Sequence, residues 1–330
     1  LIGVTIGDID GIGIILLIDS WKKKKLRNFI LFTNINIFKN FLKKRKIKLE
    51  INKVNYNNEL KYDKLCFNVF DFNAKNKYEN ILKSIDYSYK ENLKKSIIGF
   101  VTLPLRKDLI KNRLDKDFMG HTEYLEKLDK ANGSNMILYN KKITVSTLTT
   151  HISVKSVSRT LSKKNYIYDK IYNLSNTLKT DFNIKKPKIA ISGFNPHCGE
   201  NGTIGDEEKK IIIPQVKKIR KRGINIQGPI SADSMLINLS KKNYDCYVFI
   251  FHDQALIPFK YISNFSGVNY TGNLKVIRTS PDHGTAYNLI YSKNLSSKSL
   301  INSFKLIKNI YNNRINYEES KKIIRSKLSN

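Results

Sequence analysis

Short, almost uninterrupted apolar runs recur along the chain: LIGVTI at the start, then NFILFT, SIIGFVTL, KIAISGF and DCYVFIF. Strands buried on both faces read this way, because neither face has to be polar. The stretches between them carry helical spacing. GDEEKKIIIPQVKKIRKRG is the clearest, with acids in its first turn, bases in its last and Gly223 as a stop. Pro214 is expected to bend it. This alternation predicts an α/β fold with mostly parallel sheets. The segment Ile35–Lys95 is poor in Gly and Pro and carries no chemical motif, and one or two amphipathic helices are expected from about Asn294 onward.

At 330 residues the chain is long enough for two domains or one large α/β domain. No apolar run approaches the ~18 residues of a membrane span. GIGIILLI near the start is preceded by Asp8 and Asp10 rather than by bases, so it does not read as a signal peptide. The chain opens on Leu1 and not Met, so one or more residues are expected ahead of it. Three widely spaced cysteines, Cys66, Cys198 and Cys246, argue against a disulfide framework and for a cytoplasmic protein. No CxxC occurs, which excludes a zinc-finger type of thiolate site.

The net charge is +31, which raises the question of nucleic acid. The bases are chiefly lysines scattered along the whole chain, together with abundant Asn, Ile and Tyr. A reading face would concentrate its charge and favour arginine. The charge is therefore read as composition bias, with no specific nucleic-acid partner expected. Its field still attracts anionic substrates.

The five histidines are the informative residues. All sit in polar or Gly-rich settings at the ends of runs: MGHTEY (His121), TTHISV (His151), NPHCGENG (His197), FIFHDQAL (His252) and SPDHGTA (His283). His151, His197 and His252 each follow an apolar run, and ligands of parallel sheets bind at the carboxyl ends of strands. Three imidazoles so placed can converge on one catalytic metal ion. Singly, each could equally be a cap or a hydrogen-bonded loop residue. Cys198, beside His197, is open as ligand, nucleophile or bystander. GHTE opens a helix whose N-terminus suits an anion, and Lys260 and Arg278 could join it or simply be solvated charges.

The motifs GDIDGIG, VTLPLRK, GHTEYL, TTHISVKSV, GFNPHCGENGTIGDEE, GPISADS, FHDQALIPFK and GVNYTGNLKVIRTSPDHGTA span nearly the whole chain. In that order they resemble the 4-hydroxythreonine-4-phosphate dehydrogenase family of vitamin B6 biosynthesis. The resemblance implies the two-domain fold of isocitrate and isopropylmalate dehydrogenases, as a homodimer with its site at a domain cleft. It implies one domain of residues 1–120 plus 270–330 on the cofactor side, and one of residues 121–269 carrying metal ligands and dimer interface. His151, His197 and His252 would bind a divalent metal, with zinc expected and magnesium or cobalt as alternatives. His121, Thr122, Lys260, Asn269 and Arg278 would bind a phosphorylated small-molecule substrate. Asp233 and Asp253 would lie near the metal, and Asp253 or a water would be the base. Cys198 becomes a bystander.

The implied reaction is oxidation of 4-phosphooxy-L-threonine at C3 by NAD or NADP, followed by decarboxylation to 3-amino-2-oxopropyl phosphate. No GxGxxG is present. The candidate cofactor residues are His283, Gly284 and Thr285 with Gly11 and Gly13. Departures from the family pattern gather at this end: Ile14-Ile15 after GIG, GNLK at Gly272–Lys275, and Asn288, Ile290 and Tyr291 after HGTA. They keep open a metal-dependent hydrolase or lyase that works without nicotinamide.

Overall fold

The computed structural model describes residues 1–54, 62–292 and 295–328, and the side chains up to residue 323. The chain divides into two compact units, one of residues 1–130 and 274–311, the other of residues 131–273 and 312–330.

The first unit alternates strand and helix as the apolar runs predict. In chain order it holds β1 (Ile2–Thr5), α1 (Ile12–Lys22), β2 (Phe29–Phe32), α2 (Ile35–Lys44), β3 (Ile51–Val54), β4 (Phe67–Phe70), α3 (Lys77–Leu93), β5 (Phe100–Thr102), α4 (Lys107–Arg113) and α5 (His121–Asp129). The second unit runs through β6 (Asn135–Asn140), β7 (Ile143–Thr147), α6 (Val157–Leu161), α7 (Tyr166–Thr180), β8 (Ile189–Ser192), α8 (Ile213–Lys221), β9 (Ile226–Ile230), β10 (Cys246–Phe249), α9 (His252–Ser263) and β11 (Val268–Gly272). The chain then returns to the first unit with β12 (Arg278–Pro281) and ends in α10 (Lys298–Leu328).

In the first unit the strand order is β3-β4-β2-β1-β5-β12, and every pairing is parallel. All residues of β1, β2, β4, β5 and β12 are buried. Phe67 anchors the core, with edge-on contacts to Phe29 at 5.3 Å and Trp21 at 5.6 Å. Asparagines start the helices: Asn34 Oδ1 accepts from the N–H groups of Asn36 and Ile37, and Asn76 Oδ1 from those of Tyr78 and Glu79. These caps satisfy donors that a helix leaves orphaned in its first turn.

In the second unit the order is β11-β6-β7-β10-β8-β9. The pairings β11–β6 and β6–β7 are antiparallel, and the remaining three are parallel. Val145, Ala190, Tyr247 and Phe249 of the parallel strands pack on Met235 and on Ala255 and Phe259 of α9.

Two sequence expectations are refined. The acidic-to-basic helix begins with a π-helical turn at Glu208–Ile212, and α8 follows with Pro214 in its first turn. A proline cannot donate back into the preceding turn, and the wider turn accommodates the missing bond. The C-terminal region is one continuous helix, because Lys298–Leu328 contains neither Gly nor Pro. The expected start at Asn294 lies outside the described residues.

The C-terminal part of α10 is tied to the second unit by a buried charge. Asp181 is almost wholly enclosed and accepts from Arg314 Nε at 2.7 Å and Nη2 at 3.1 Å. The hydroxyl of the fully buried Tyr270 also donates to it, and Asn313 Nδ2 donates to its carbonyl at 2.7 Å. Burial, and then the charge of Asp181, hold the Tyr270 hydroxyl far above its ordinary pKa. Removing one partner leaves the other charge buried and uncompensated. Arg314→Ala is therefore expected to lower the unfolding free energy by about 3 kcal/mol, measured by urea denaturation.

Candidate active site

The second unit places three chain exits side by side. β10 lies between β7 and β8, all parallel, so their C-terminal ends open on one edge. His151 leaves β7, His252 leaves β10 and His197 leaves β8. Side-chain hydroxyls sew these exits together at Ile250. Its N–H donates to Ser192 Oγ at 3.1 Å, and its carbonyl accepts from Thr149 Oγ1 at 2.7 Å. Phe194 and Phe251, the residues after two of the exits, pack with ring centroids 5.1 Å apart.

Beyond the exits the backbone is unusual. His151 has φ 39°, and His197 begins a run of six residues with φ of 49°, 56°, 76°, 39°, 56° and 96°. Only Gly199 and Gly202 in that run are glycines. Each L-residue held left-handed costs about 1–2 kcal/mol, so the run stores strain that surrounding contacts must offset. Such strain gathers at functional sites.

The rings of His151 and His252 come together, with centroids 6.0 Å apart. That separation lets both reach one ion bound at about 2 Å from a nitrogen of each. His252 opens α9, and its Nδ1 is 2.7 Å from Asp253 Oδ1, which leaves Nε2 for a ligand. His197 lies within electrostatic reach of Asp233. The Ser231 hydroxyl, 2.5 Å away, is the main cause that holds the Asp233 carboxyl below its ordinary pKa, with a smaller pull from His197. Among the described residues no three His, Cys, Asp or Glu side chains already form a closed metal cluster. The imidazole pair and the carboxylate behind it nonetheless fit the donor chemistry of a divalent ion. Lys260 is exposed on α9, and Asn269 on β11 has a buried Oδ1 that lacks a hydrogen-bond partner. The Cys198 thiol is pushed up by burial and by Glu208 and Asp233, which suits a bystander better than a nucleophile.

The first unit carries a second constellation. Arg278 opens β12, only 2% exposed, and donates through Nε and Nη2 to Thr102 Oγ1 on the neighbouring β5. Burial brings its pKa down to about 9. His121 and Thr122 are the first residues of α5, so the helix that GHTE opens begins at the histidine itself. His121 Nε2 is buried without a hydrogen-bond partner. Burial, then the charges of Arg278 and Lys107, hold this imidazole well below its ordinary pKa.

Lys107 is a residue that sequence reasoning missed. Its only signal was its place at the end of VTLPLRK. A Cβ on Gly120 would lie 3.2 Å from Lys107 Nζ, so the ammonium folds back over the start of α5. Its pKa is lowered by burial and by Arg278, against the pull of Glu123. Two cations, an imidazole and a helix N-terminus thus gather beside the carboxylate of Glu123.

The candidate cofactor residues follow β12. His283 Nδ1 lies 3.0 Å from the Gly284 carbonyl, while its buried Nε2 has no partner. A Cβ on Gly284 would meet nothing within 4 Å. The Thr285 carbonyl accepts from Ile12 N at 2.9 Å. A Cβ on Gly11 would lie 3.1 Å from that carbonyl, and one on Gly13 would lie 3.0 Å from Pro104 Cδ. Close packing thus accounts for the small residue at both positions. The departures at Asn288, Ile290 and Tyr291 lie in this loop, where the neighbouring Tyr287 bonds through its hydroxyl to Asp8 and Arg45 sits 5.3 Å over the Tyr291 ring.

Comparison with known proteins bears on this geometry. The family model described as "Pyridoxal phosphate biosynthetic protein PdxA" matches residues 24–307. The chain is 35% identical to a 4-hydroxythreonine-4-phosphate dehydrogenase of Sulfurihydrogenibium sp. (strain YO3AOP1), over 90% of this chain and 94% of that protein. It is also 35% identical to the D-threonate 4-phosphate dehydrogenase of Salmonella typhimurium, over 65% of this chain and 64% of that protein. The crystal structure of the Klebsiella pneumoniae 4-hydroxythreonine-4-phosphate dehydrogenase superimposes with a TM-score of 0.79 and 28% identity, covering 94% of this chain and 98% of that one.

The buried His121 gives a pH signature. Below about pH 6.5 the unfolded chain takes up a proton here that the folded chain refuses, so stability falls with falling pH, by at most about 1.4 kcal/mol per unit. His121→Gln removes that contribution. The stability of wild type relative to the variant is expected to decline between about pH 7.5 and 5.5, as measured by denaturant unfolding at each pH.

Proposed function

This chain belongs to the pyridoxal phosphate biosynthetic protein PdxA family, and from that membership we propose the substrate, the metal and the roles of individual residues. It is a dehydrogenase of a secondary alcohol that uses a nicotinamide cofactor. The proposed substrate is 4-phosphooxy-L-threonine, oxidised at C3. In that oxidation the hydroxyl proton passes to a base, and the C3 hydrogen leaves with its electron pair. The resulting β-keto acid then breaks its bond to the carboxyl carbon. Carbon dioxide departs, the electrons flow towards the ketone, and C2 takes a proton to give 3-amino-2-oxopropyl phosphate.

Bound nicotinamide supplies the hydride acceptor, and a divalent ion supplies charge that makes the alcohol easier to ionise. His151, His197 and His252 would hold the ion, zinc being the first choice. The observation that carries this reading is the adjacency of β7, β10 and β8, which delivers one histidine from each of three neighbouring strand ends. Asp253 orients His252 through Nδ1 and is the leading candidate to take the alcohol proton. Asp233, held ionised by Ser231, offers a counter-charge to a substrate ammonium. That favours the amino-bearing substrate over D-threonate 4-phosphate, which has a hydroxyl in its place.

Arg278, His121, Thr122 and Lys107 would take the phosphate, beside the carboxylate of Glu123. Lys260 and Asn269 are assigned to the substrate by the family pattern. His283, Gly284 and Thr285 would serve the nicotinamide cofactor, supported by the unpartnered His283 Nε2 and the open space at Gly284.

A homodimer in the cytoplasm completes the proposal. α9 buries Ala255, Phe259 and Ser263 on one face but leaves Ile257 69% and Tyr261 89% exposed. Phe265, just beyond the helix, is 73% exposed. Apolar area of this kind suits a second copy of the chain. Tyr261→Lys is expected to weaken association at least tenfold in sedimentation-velocity titrations. Unchanged association would exclude this face. Free thiols at Cys66, Cys198 and Cys246 agree with a reducing compartment.

The reaction is tested by following NADH or NADPH formation with 4-phosphooxy-L-threonine and a divalent metal. Turnover is expected with that substrate, with kcat/KM at least tenfold lower for D-threonate 4-phosphate. His252→Ala should lower kcat at least 100-fold and leave the melting temperature within a few degrees. Near-normal turnover in the variant, or a preference for the threonate, would contradict the assignment.

A further inference from the structure

The left-handed run from His197 to Gly202 needs something to hold it, and one buried carboxylate is placed to do so. Glu208 is only 2% exposed. Its Oε1 accepts from the backbone N–H groups of Phe194 and Asn195, both at 2.7 Å. Its Oε2 accepts from Asn195 Nδ2 at 2.9 Å, and the same amide donates to Glu207 Oε2 at 2.7 Å. Backbone close to the carboxylate completes its surroundings. A Cβ on Gly199 would lie 2.9 Å from Oε2, and one on Gly193 would lie 3.3 Å from Oε1. No lysine, arginine or histidine forms an ion pair with Glu208 among the described residues, so N–H dipoles stabilise its charge.

These contacts bracket His197. Phe194 and Asn195 stand three and two residues ahead of it, and Gly199 stands two residues behind. Glu208 itself sits in the π-helical turn that leads into α8, which is anchored by buried Ile212, Val216 and Ile219. A rigid helix thus reaches back through one side chain to fix the geometry of a strained loop.

We propose that Glu208 is the positioning residue for His197, setting the direction in which this imidazole is presented. The proposal rests on the reading that His197 holds a divalent ion. A merely structural acid would affect folding alone. A positioning residue changes the affinity of the ion while the fold persists.

The test is Co²⁺ titration of metal-free protein by calorimetry and visible absorption, alongside thermal melting. In Glu208→Gln the side-chain carbonyl can still accept from both backbone N–H groups, but its amide opposes the amide of Asn195. This variant is expected to melt within a few degrees of wild type and to bind Co²⁺ about tenfold more weakly, with a changed visible spectrum. Glu208→Ala should bind about 100-fold more weakly. Wild-type affinity and spectrum in Glu208→Gln would overturn the positioning role while leaving His197 as a ligand. The same Co²⁺ affinity in wild type and in His197→Asn would overturn the ligand reading and the positioning role with it.

Discussion

The second unit depends on the grip that two neighbouring strands take on one peptide unit. Ile250 follows β10, and its N–H donates to Ser192 Oγ while its carbonyl accepts from both the hydroxyl and the backbone N–H of Thr149. Parallel strands normally diverge into loops once their backbone bonds end. Here one buried hydroxyl reinforces the last backbone bond towards β7 and another extends the pairing towards β8, so the three loops begin from a fixed origin. A histidine two to five residues beyond such an origin has little freedom left. The strained φ values of His151 and His197 persist because the base beneath them does not move.

The first unit solves a different problem. It buries an arginine and an imidazole beside a lysine, near the start of a helix whose dipole is also positive. The lowered pKa of each group expresses what this gathering of positive charge costs, and the carboxylate of Glu123 offsets part of it at Lys107 and Arg278.

The charge of the whole chain plays a lesser part. Its lysines are spread over exposed helix faces, while the cations that matter are few and occupy defined positions. In the loop after β12, Tyr287 finds a partner in Asp8 and Tyr291 lies under Arg45. His283, just upstream, keeps a free ring nitrogen.

Much of this was written in the order of residues. Both-face burial made LIGVTI, NFILFT and DCYVFIF legible as parallel strands, and the scarcity of histidine made five positions conspicuous. Helix limits near Pro214 and His121 were legible only approximately, because the π turn and the Gly120 cap depend on local geometry that periodicity does not carry. The sequence by itself determined the elements, their alternation and which rare side chains follow which strand. Only the tertiary structure decided that β10 lies between β7 and β8, that Lys107 folds back over α5, and that Glu208 returns to hold the turn ahead of it. Those contacts join residues between nine and about a hundred positions apart in the chain, and the free energy of such contacts leaves no periodic trace in the order of amino acids.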